Sequence, residues 1–245
     1  MDTTHLPLLI LTIAIVAFLY SSVGHAGASG YIATMTLFGI ATVSIKPTAL
    51  VLNILVAVIG SFQFWRAGYF SWKIFWPFAL LSVPMAYLGG YLHLPVHLFR
   101  VLVGIVLWFS AVRFFFRQGD PAEANPPAKS VALGVGAGIG FLSGLTGTGG
   151  GIFLTPLLLF CRWAKTKNAA AVSALFILVN SVSGLTGYLS SGRSIPSIAG
   201  VMAVAAVGGG TLGSYFGSRK FPVCIIQLLL GTVLMIAGFK LIFTR

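Results

Sequence analysis

Charged side chains are scarce in this chain, and acidic ones are nearly missing. Only 7% of its 245 residues are charged, whereas a soluble domain carries about 25%. The three acids are Asp2, Asp120 and Glu123, and none of them lies inside an apolar segment. Because so little polar surface cannot cover a globule in water, the composition predicts an all-α polytopic membrane protein.

The same scarcity excludes several classes of function. No carboxylate pair is available for acid–base chemistry and no His/Cys cluster for a metal, so we expect no catalytic residues and no metal site. No Gly-Lys-Ser or Gly-Lys-Thr follows a glycine-rich loop, so we expect neither ATP hydrolysis nor a cofactor. The two cysteines, Cys161 and Cys224, are too few for a disulfide framework.

Apolar segments are abundant, and they predict the architecture. They cover residues 6–23, 30–44, 48–65, 73–92, 98–116, 130–145, 151–163, 170–190, 195–216 and 224–243. The second and seventh would rise only about 21 Å as helices, less than a hydrocarbon core of about 30 Å. We therefore expect about eight to ten membrane segments, with these two either spanning or re-entering the bilayer.

The segments predict two homologous halves. A first membrane repeat covers 1–118, a polar, proline-containing linker covers 119–129, and a second repeat covers 130–245. The linker is predicted to be flexible and cytoplasmic. Four stretches match in the same order, among them 24–30 with 144–150 and Asn53 with Asn180, which indicates an internal duplication. The repeats are inverted or parallel depending on whether the short segments cross, and both arrangements stay open.

Basic residues predict the orientation in the membrane. The net charge is +12, but Lys and Arg occur in small groups between apolar segments, which is typical of topology signals and lipid contacts rather than nucleic-acid binding. Most of them fall in the odd-numbered loops, so those loops are predicted to be cytoplasmic and both termini extracytoplasmic. Because no basic residue precedes the first segment, we interpret it as a retained span and not a signal peptide.

Two glycine-rich runs, one in each half, form the candidate binding site. Gly147 and Gly149–Gly151 lie in an uncharged run at 144–151, where dense glycine lets the backbone unwind. Exposed N–H groups at a helix N-terminus favour anions. The first run contributes Gly27 and also Ser29, the predicted N-cap of the next helix. Because such backbone survives in a membrane only where it is buried or lines a cavity, we expect broken helices at both runs, facing one substrate.

For each of five polar side chains near these runs, the sequence allows two roles, one structural and one in binding. His25 is either hydrogen-bonded in the core, or it donates to the substrate or carries a proton. Thr146 and Thr148 donate hydroxyls to an oxyanion or bond their own helix. Asn53 and Asn180 either join helices or bind substrate, since buried amides are costly without partners.

Other residues have simpler interpretations. Two sets of glycines spaced four apart predict close helix packing. These are Gly136, Gly140 and Gly144, and Gly209, Gly213 and Gly217. Lys46 lies on the less basic side, where it either anchors the chain at the interface or helps to recruit an anion.

The run Gly-Leu-Thr-Gly-Thr-Gly-Gly-Gly-Ile-Phe-Leu-Thr-Pro at 144–156 resembles the signature of the TauE/SafE family of sulfite-exporter-like permeases. That family also has duplicated halves with a glycine-rich motif early in each. In the first half of this chain, His25 and Ala28 stand where glycine is more usual. The resemblance implies export of small oxidised-sulfur anions, such as sulfite or organosulfonates, across the bacterial inner membrane without ATP.

We therefore expect a secondary transporter that works by alternating access between two pseudo-symmetric repeats, with a small anion bound between the glycine runs. The alternatives are a non-transporting membrane scaffold or partner subunit, and a permease for another small solute. The absence of acids within the segments disfavours a cation permease, and the absence of a catalytic set disfavours an enzyme. The expected partners are the lipid bilayer and the small anion. Glycine-rich outer faces would also permit a second copy of the chain to bind, but they do not predict a homodimer.

Overall fold

The structure is a computed structural model that describes residues 6–92, 108, 112, 120, 121 and 123–243. Regular structure in these residues is entirely helical, which confirms the predicted fold class. In chain order the helices are α1 (Leu6–Ser22), α2 (Ala28–Leu37), α3 (Thr42–Arg66), α4 (Trp72–Tyr91), α5 (Lys129–Thr146), α6 (Gly151–Phe160), α7 (Thr166–Ser190), α8 (Ile198–Tyr215) with a π-helical turn (Phe216–Lys220), and α9 (Val223–Phe243). Nearly all of the predicted segment 98–116 lies outside the described residues.

Glycines break the chain into helix pairs at both predicted runs. Gly24 and Gly27 have φ values of 79° and 104°, and α2 begins directly after Gly27. Gly147 and Gly150 have φ values of 75° and 83°, and α6 begins directly after Gly150. Since a Cβ disfavours these left-handed conformations, glycine fixes where each helix ends. We call 23–27 the first glycine loop and 147–150 the second glycine loop.

The helices that follow the two loops are short, as the sequence predicts. Both α2 and α6 have 10 residues, which gives a rise of about 15 Å. That is half of a hydrocarbon core of about 30 Å. In both cases the chain then turns into a helix of 25 residues, α3 or α7, that is long enough to cross.

The long helices α3 and α7 lie side by side and run in opposite directions. Tyr188 Oη donates to the carbonyl oxygen of Val43 at 3.4 Å, and Asn53 Nδ2 donates to Ser181 Oγ at 3.4 Å. Residue numbers therefore rise along α3 as they fall along α7. Because α3 and α7 hold the same place in the two predicted halves, these elements are arranged as in inverted repeats, one of the two arrangements left open by the sequence. The division of the chain at 118 and 129 stays a prediction.

Close helix contacts at glycine join the two halves. A Cβ on Gly140 of α5 would overlap the α4 backbone at Ser82, and a Cβ on Gly213 of α8 would overlap the α1 backbone at Phe18. The other four glycines of the two sets make equivalent contacts with α4 or α1: Gly136, Gly144, Gly209 and Gly217. The predicted packing role of the spaced glycines is confirmed, because only a residue without a side chain permits this approach.

The distribution of polarity is that of a multi-pass membrane protein. Large apolar side chains such as Leu8, Phe62 and Val204 are exposed, whereas Asn53 and Asn180 are fully buried. Within the described residues, five helices are long and apolar enough to cross a membrane. An apolar exterior around a partly polar interior suits a lipid surrounding and not an aqueous one.

Among the residues that the structure describes, most of the basic side chains lie at one end of the bundle. The start of α7 lies at this end with the α3–α4 turn and the end of α8, since Asn168 Nδ2 donates to Tyr69 O at 2.7 Å and Lys167 Nζ lies 3.5 Å from Ser218 O. The basic side chains of this basic end are Arg66, Lys73, Lys129, Arg162, Lys165, Lys167, Arg219 and Lys220. The opposite end, where α3 begins and α7 ends, holds Lys46 and Arg193, and we call it the Lys46 end.

Part of the polar linker is fixed to the basic end. Asp120 Oδ1 accepts hydrogen bonds from the backbone N–H and the hydroxyl of Thr166, at 2.7 and 2.6 Å, at the start of α7. The N–H of Asn125 donates to Arg162 O at 3.0 Å. A carboxylate stabilises a helix N-terminus by accepting from its open N–H groups. Asp120 and Asn125 therefore contact the helical bundle, while the flexibility of the linker stays a prediction.

Candidate functional site

The two glycine loops meet near the middle of the bundle. A Cβ on Gly149 would lie 2.9 Å from both Asn53 Nδ2 and Ser181 Oγ, which belong to the central parts of α3 and α7. A Cβ on Gly151 would lie 3.5 Å from Cδ2 of His25 in the first loop. The structure thus brings together Gly149, Gly151, His25 and Asn53 of the predicted site residues.

Open backbone N–H groups are the feature of the second glycine loop that suits an anion. The N–H of Gly147 donates to Ser143 O at the end of α5, and the N–H of Leu154 donates to Gly150 O in the first turn of α6. Within the part of the chain that the structure describes, the N–H groups of residues 148–152 donate to no backbone carbonyl. Such groups at a helix N-terminus carry partial positive charge and attract oxyanions.

The first glycine loop differs from its prediction at Ser29. Gly27 is the N-cap of α2, no side chain caps that helix, and Ser29 is its second residue. The predicted N-cap role of Ser29 is therefore wrong, because the left-handed φ of Gly27 ends the loop two residues earlier. Ser29 Oγ instead donates to Tyr20 Oη at 2.9 Å. Gly27 itself packs against Tyr31, whose ring leaves no room for a Cβ.

His25 is held by a buried chain of hydroxyls. Its Nε2 lies 2.8 Å from Thr155 Oγ1, and Thr155 Oγ1 donates to Ser173 Oγ at 2.7 Å. Because the single hydroxyl proton of Thr155 points to Ser173, Nε2 of His25 must be the donor to Thr155. His25 Nδ1 has no hydrogen-bond partner among the described residues. The predicted role of His25 as a hydrogen-bonded core residue therefore applies to Nε2, while Nδ1 stays available to a ligand.

The two asparagines have different surroundings. Asn53 Oδ1 is buried and has no hydrogen-bond partner among the described residues, so it retains one unused polar atom next to the second glycine loop. Asn180 Oδ1 accepts from Ser82 Oγ at 2.6 Å, and its Nδ2 donates to Phe176 O at 2.9 Å. Asn180 therefore joins α4 to α7 and has both polar groups engaged.

The asparagines are also not equivalent between the halves. Both α3 and α7 have 25 residues, beginning at Thr42 and Thr166. In this register Asn53 corresponds to Ile177 and not to Asn180. The predicted pairing of Asn53 with Asn180 is wrong by three positions, less than one helical turn.

The glycine runs are also misaligned by three residues, in the opposite direction. The sequence pairs 24–30 with 144–150, which sets Gly24 against Gly144. In the structure, Gly24 corresponds to Gly147 and Gly27 to Gly150, because these four have left-handed φ values at matching places in the two loops. The sequence alignment is therefore corrected by backbone conformation, which residue identity alone does not reveal in a glycine-rich run.

The two threonines of the second run hold the loop together. Thr146 Oγ1 donates to Leu142 O at 2.7 Å, which is a bond to its own helix. The hydroxyls of Thr146 and Thr148 lie 2.9 Å apart. Thr146 thus has the helix-bonding role, whereas Thr148 is half-buried beside the open N–H groups.

Three buried hydroxyl residues at this place were not identified from the sequence. Thr155 lies on α6, shortly after the second glycine run, and Ser173 and Ser181 lie on α7. A spacing of eight residues puts Ser173 and Ser181 on one helix face, which was the available signal. No group of three or more His, Cys, Asp or Glu side chains that could hold a metal is found in the described residues.

Comparison with known proteins agrees with the motif. The profile of the family described as "Sulfite exporter TauE/SafE" matches residues 9–241. A "Probable membrane transporter protein y4hK" of Sinorhizobium fredii is 40% identical over 99% of this chain and 100% of its own length. A "Probable membrane transporter protein MJ0441" of Methanocaldococcus jannaschii is 27% identical over 95% of this chain and 94% of its own. No solved structure matches significantly.

Proposed function

We propose, from the premise that this chain belongs to the Sulfite exporter TauE/SafE family, that it is a permease and not an enzyme. Its proposed substrates are small oxidised-sulfur anions such as sulfite or organosulfonates. The observation that carries the proposal is the second glycine loop, whose open N–H groups lie near the middle of the bundle beside buried polar side chains. No described helix contains Asp or Glu, so nothing negative competes with an oxyanion there.

The anion would bind between the two loops. The N–H groups of Gly149–Gly151 and the side chains of Asn53 and Thr148 replace water around its oxygens, and the α6 N-terminus stabilises its charge. His25 Nδ1 accepts a hydrogen bond from a protonated anion, or binds a proton together with an unprotonated one. Gly27 and Gly147 shape the loops. Three further residues of the predicted site, Ser29, Thr146 and Asn180, position the helices around it.

Transport would follow from the inverted arrangement of the helices. If the two repeats rock against each other, the site at their interface opens to one side of the membrane and then to the other. The basic end faces the cytoplasm of a bacterial inner membrane by the positive-inside rule, and both termini then lie outside. No ATP is needed for such a cycle, and the driving force comes from the anion gradient, a proton or the membrane potential.

The test is flux into proteoliposomes, with sulfite, sulfate, thiosulfate and small sulfonates as candidate substrates. We expect saturable uptake of at least one of them and loss of that uptake in Gly150→Ala. A Cβ at Gly150 would lie only 2.9 Å from Phe176 Cε1. Alanine at this position would also have to adopt a left-handed φ, which its Cβ disfavours. Gly138→Ala is the matched control, since nothing lies within 4 Å of the added Cβ. Absence of flux and of binding for every anion would favour the scaffold alternative.

A further inference from the structure

Lys46 is a half-buried cation that packs against neighbouring helices at one end of the bundle. Its Nζ lies 3.5 Å from Gly89 O of α4 and 6.0 Å from the ring centroid of Tyr188 on α7. Its Cγ lies 2.9 Å from the place that a Cβ of Gly147 would take. Lys46 thus touches three other elements, and its stem covers the second glycine loop. An interfacial anchor would instead extend its ammonium away from the protein.

The charge of Lys46 lacks an acidic counterpart in the described structure. Asp120 is bound to Thr166 at the basic end, and Glu123 follows it in the linker. The third acid, Asp2, lies outside the described residues. The carbonyl of Gly89 at 3.5 Å is a weak contact for an ammonium group. A half-buried cation with so little compensation is costly unless an anion or water accompanies it.

A second cation lies at the same place. The guanidinium carbon of Arg193 lies 4.8 Å from the centroid of the Tyr188 ring, which Lys46 also approaches. Tyr188 is buried, and Lys46 and Arg193 are both half-buried. Two cations that share one aromatic ring concentrate positive potential beside the second glycine loop.

The equivalent contact at the basic end is made by an uncharged side chain, although half-buried Lys167 lies three residues before it in the same helix. Gly147 packs against Lys46, the fifth residue of α3, and Gly24 packs against Ala170, the fifth residue of α7. The corresponding glycines of the two loops therefore contact corresponding positions, one occupied by lysine and the other by alanine. The two glycine contacts therefore differ in charge, although their positions correspond.

We propose that Lys46 and Arg193 form a recruiting site for small oxyanions at the Lys46 end, directly over the second glycine loop. The site rests on the proposed anion transport. It supplies the first positive contacts for an anion that arrives from the Lys46 end and then passes it to the N–H groups of the loop. An anion that arrives from the basic end meets Ala170 at the equivalent position, so loss of the Lys46 charge should lower the apparent affinity at the Lys46 face and not at the other.

The test measures the KM for sulfite at each face, in right-side-out and inside-out vesicles. We expect the KM at the Lys46 face to rise about tenfold in Lys46→Gln, the loss of one charge-assisted contact. The other face and the maximal rate change little, and Lys46→Arg restores the affinity. Lys129→Gln is the matched control, because Lys129 also approaches an aromatic ring, Trp76 at 5.4 Å, but is exposed at the basic end. An unchanged KM in Lys46→Gln would overturn the recruiting site and leave the transporter intact.

If no flux is seen, a measurement of sulfite binding by thermal shift still tests the recruiting site. Sulfite should raise the melting temperature of the purified protein, and Lys46→Gln should remove most of that rise in neutral phosphatidylcholine. A Lys46-dependent rise without flux supports the site and contradicts transport, and no rise with any variant contradicts both. An effect that appears only with phosphatidylglycerol identifies a lipid headgroup as the occupant and overturns the proposal. The same holds if Asp2→Asn reproduces the effect of Lys46→Gln, since Lys46 would then belong to an ion pair.

Discussion

His25 shows how a single polar side chain is fixed in an apolar interior. Its Nε2 bonds Thr155 from α6, which in turn bonds Ser173 from α7. All three side chains are buried. Buried polar groups of this kind need partners, and the chain of bonds ties the first glycine loop to elements of the other half. The arrangement leaves the second ring nitrogen for a ligand.

At this scale we predict that Thr155→Val destabilises the fold. The change keeps the side-chain shape but leaves the Nε2 proton of His25 without an acceptor, at a cost of about 1–3 kcal/mol. The measurement is the apparent melting temperature in detergent. Thr232→Val is the control, because the Thr232 hydroxyl bonds only its own helix at an exposed position. Equal melting temperatures for the two variants would contradict the assigned role of Thr155.

Single residues also show where sequence reading stops. The sequence singled out His25 and Asn53, which do lie beside the second loop, because a lone imidazole and a lone amide stand out in an apolar chain. It could not separate Asn53 from Asn180. That distinction depends on Ser82, which satisfies Asn180 from a helix about a hundred residues away. Partners across helices are a property of packing, and no local pattern encodes them.

Helix pairs are the next scale, and glycine sets their distance. On α5, Gly136, Gly140 and Gly144 lie against α4, whereas Gly134 and Gly138 have nothing within 4 Å of an added Cβ. One helix thus carries both packing glycines and open ones. The spacing of four residues predicted the packing set correctly, since it repeats on one helix face.

We predict opposite effects for neighbouring glycines on this helix. Gly140→Ala forces α5 away from the backbone of Ser82 and should cost about 1–3 kcal/mol. Gly138→Ala meets no neighbour and should be neutral or stabilising, by up to about 1 kcal/mol from helix propensity. The yield of monodisperse protein and its melting temperature measure both. A tolerated Gly140→Ala would mean that α4 and α5 are further apart than described.

Helix breaks were predicted better than their register. A run of glycines predicts that the helix breaks, and it does so at Gly147, Gly149 and Gly150. Which glycine ends one helix and which begins the next depends on φ, and several placements suit the same run. The alignment of the two loops was for this reason wrong by three residues.

The whole molecule is organised by the antiparallel contact of α3 and α7. Length and composition predicted a multi-pass helical protein, because few other folds tolerate so few charges. They did not determine whether the second half is inverted relative to the first, because the number of membrane crossings in each half depends on whether α2 and α6 cross. Contacts such as Asn53 with Ser181 decide it, and these are long-range facts.

The proposed orientation makes a prediction for the two native cysteines. Cys161 follows α6 and Cys224 is the second residue of α9, so both lie at the basic end, and both are exposed. A membrane-impermeant maleimide should label both in inside-out vesicles and neither in intact spheroplasts. Ser194→Cys, placed at the Lys46 end in a cysteine-free background, should show the reverse pattern. Labelling of Cys161 and Cys224 from different sides would contradict their common placement at the basic end.

The most direct measurement is an anomalous diffraction map of crystals soaked in selenite, the selenium analogue of sulfite. The central prediction is one selenium peak between the glycine loops, with its oxygens about 3 Å from the N–H groups of Gly149–Gly151, and no peak there in Gly150→Ala. A protein that transports sulfite but binds selenite only elsewhere, with the second glycine loop empty, would contradict it.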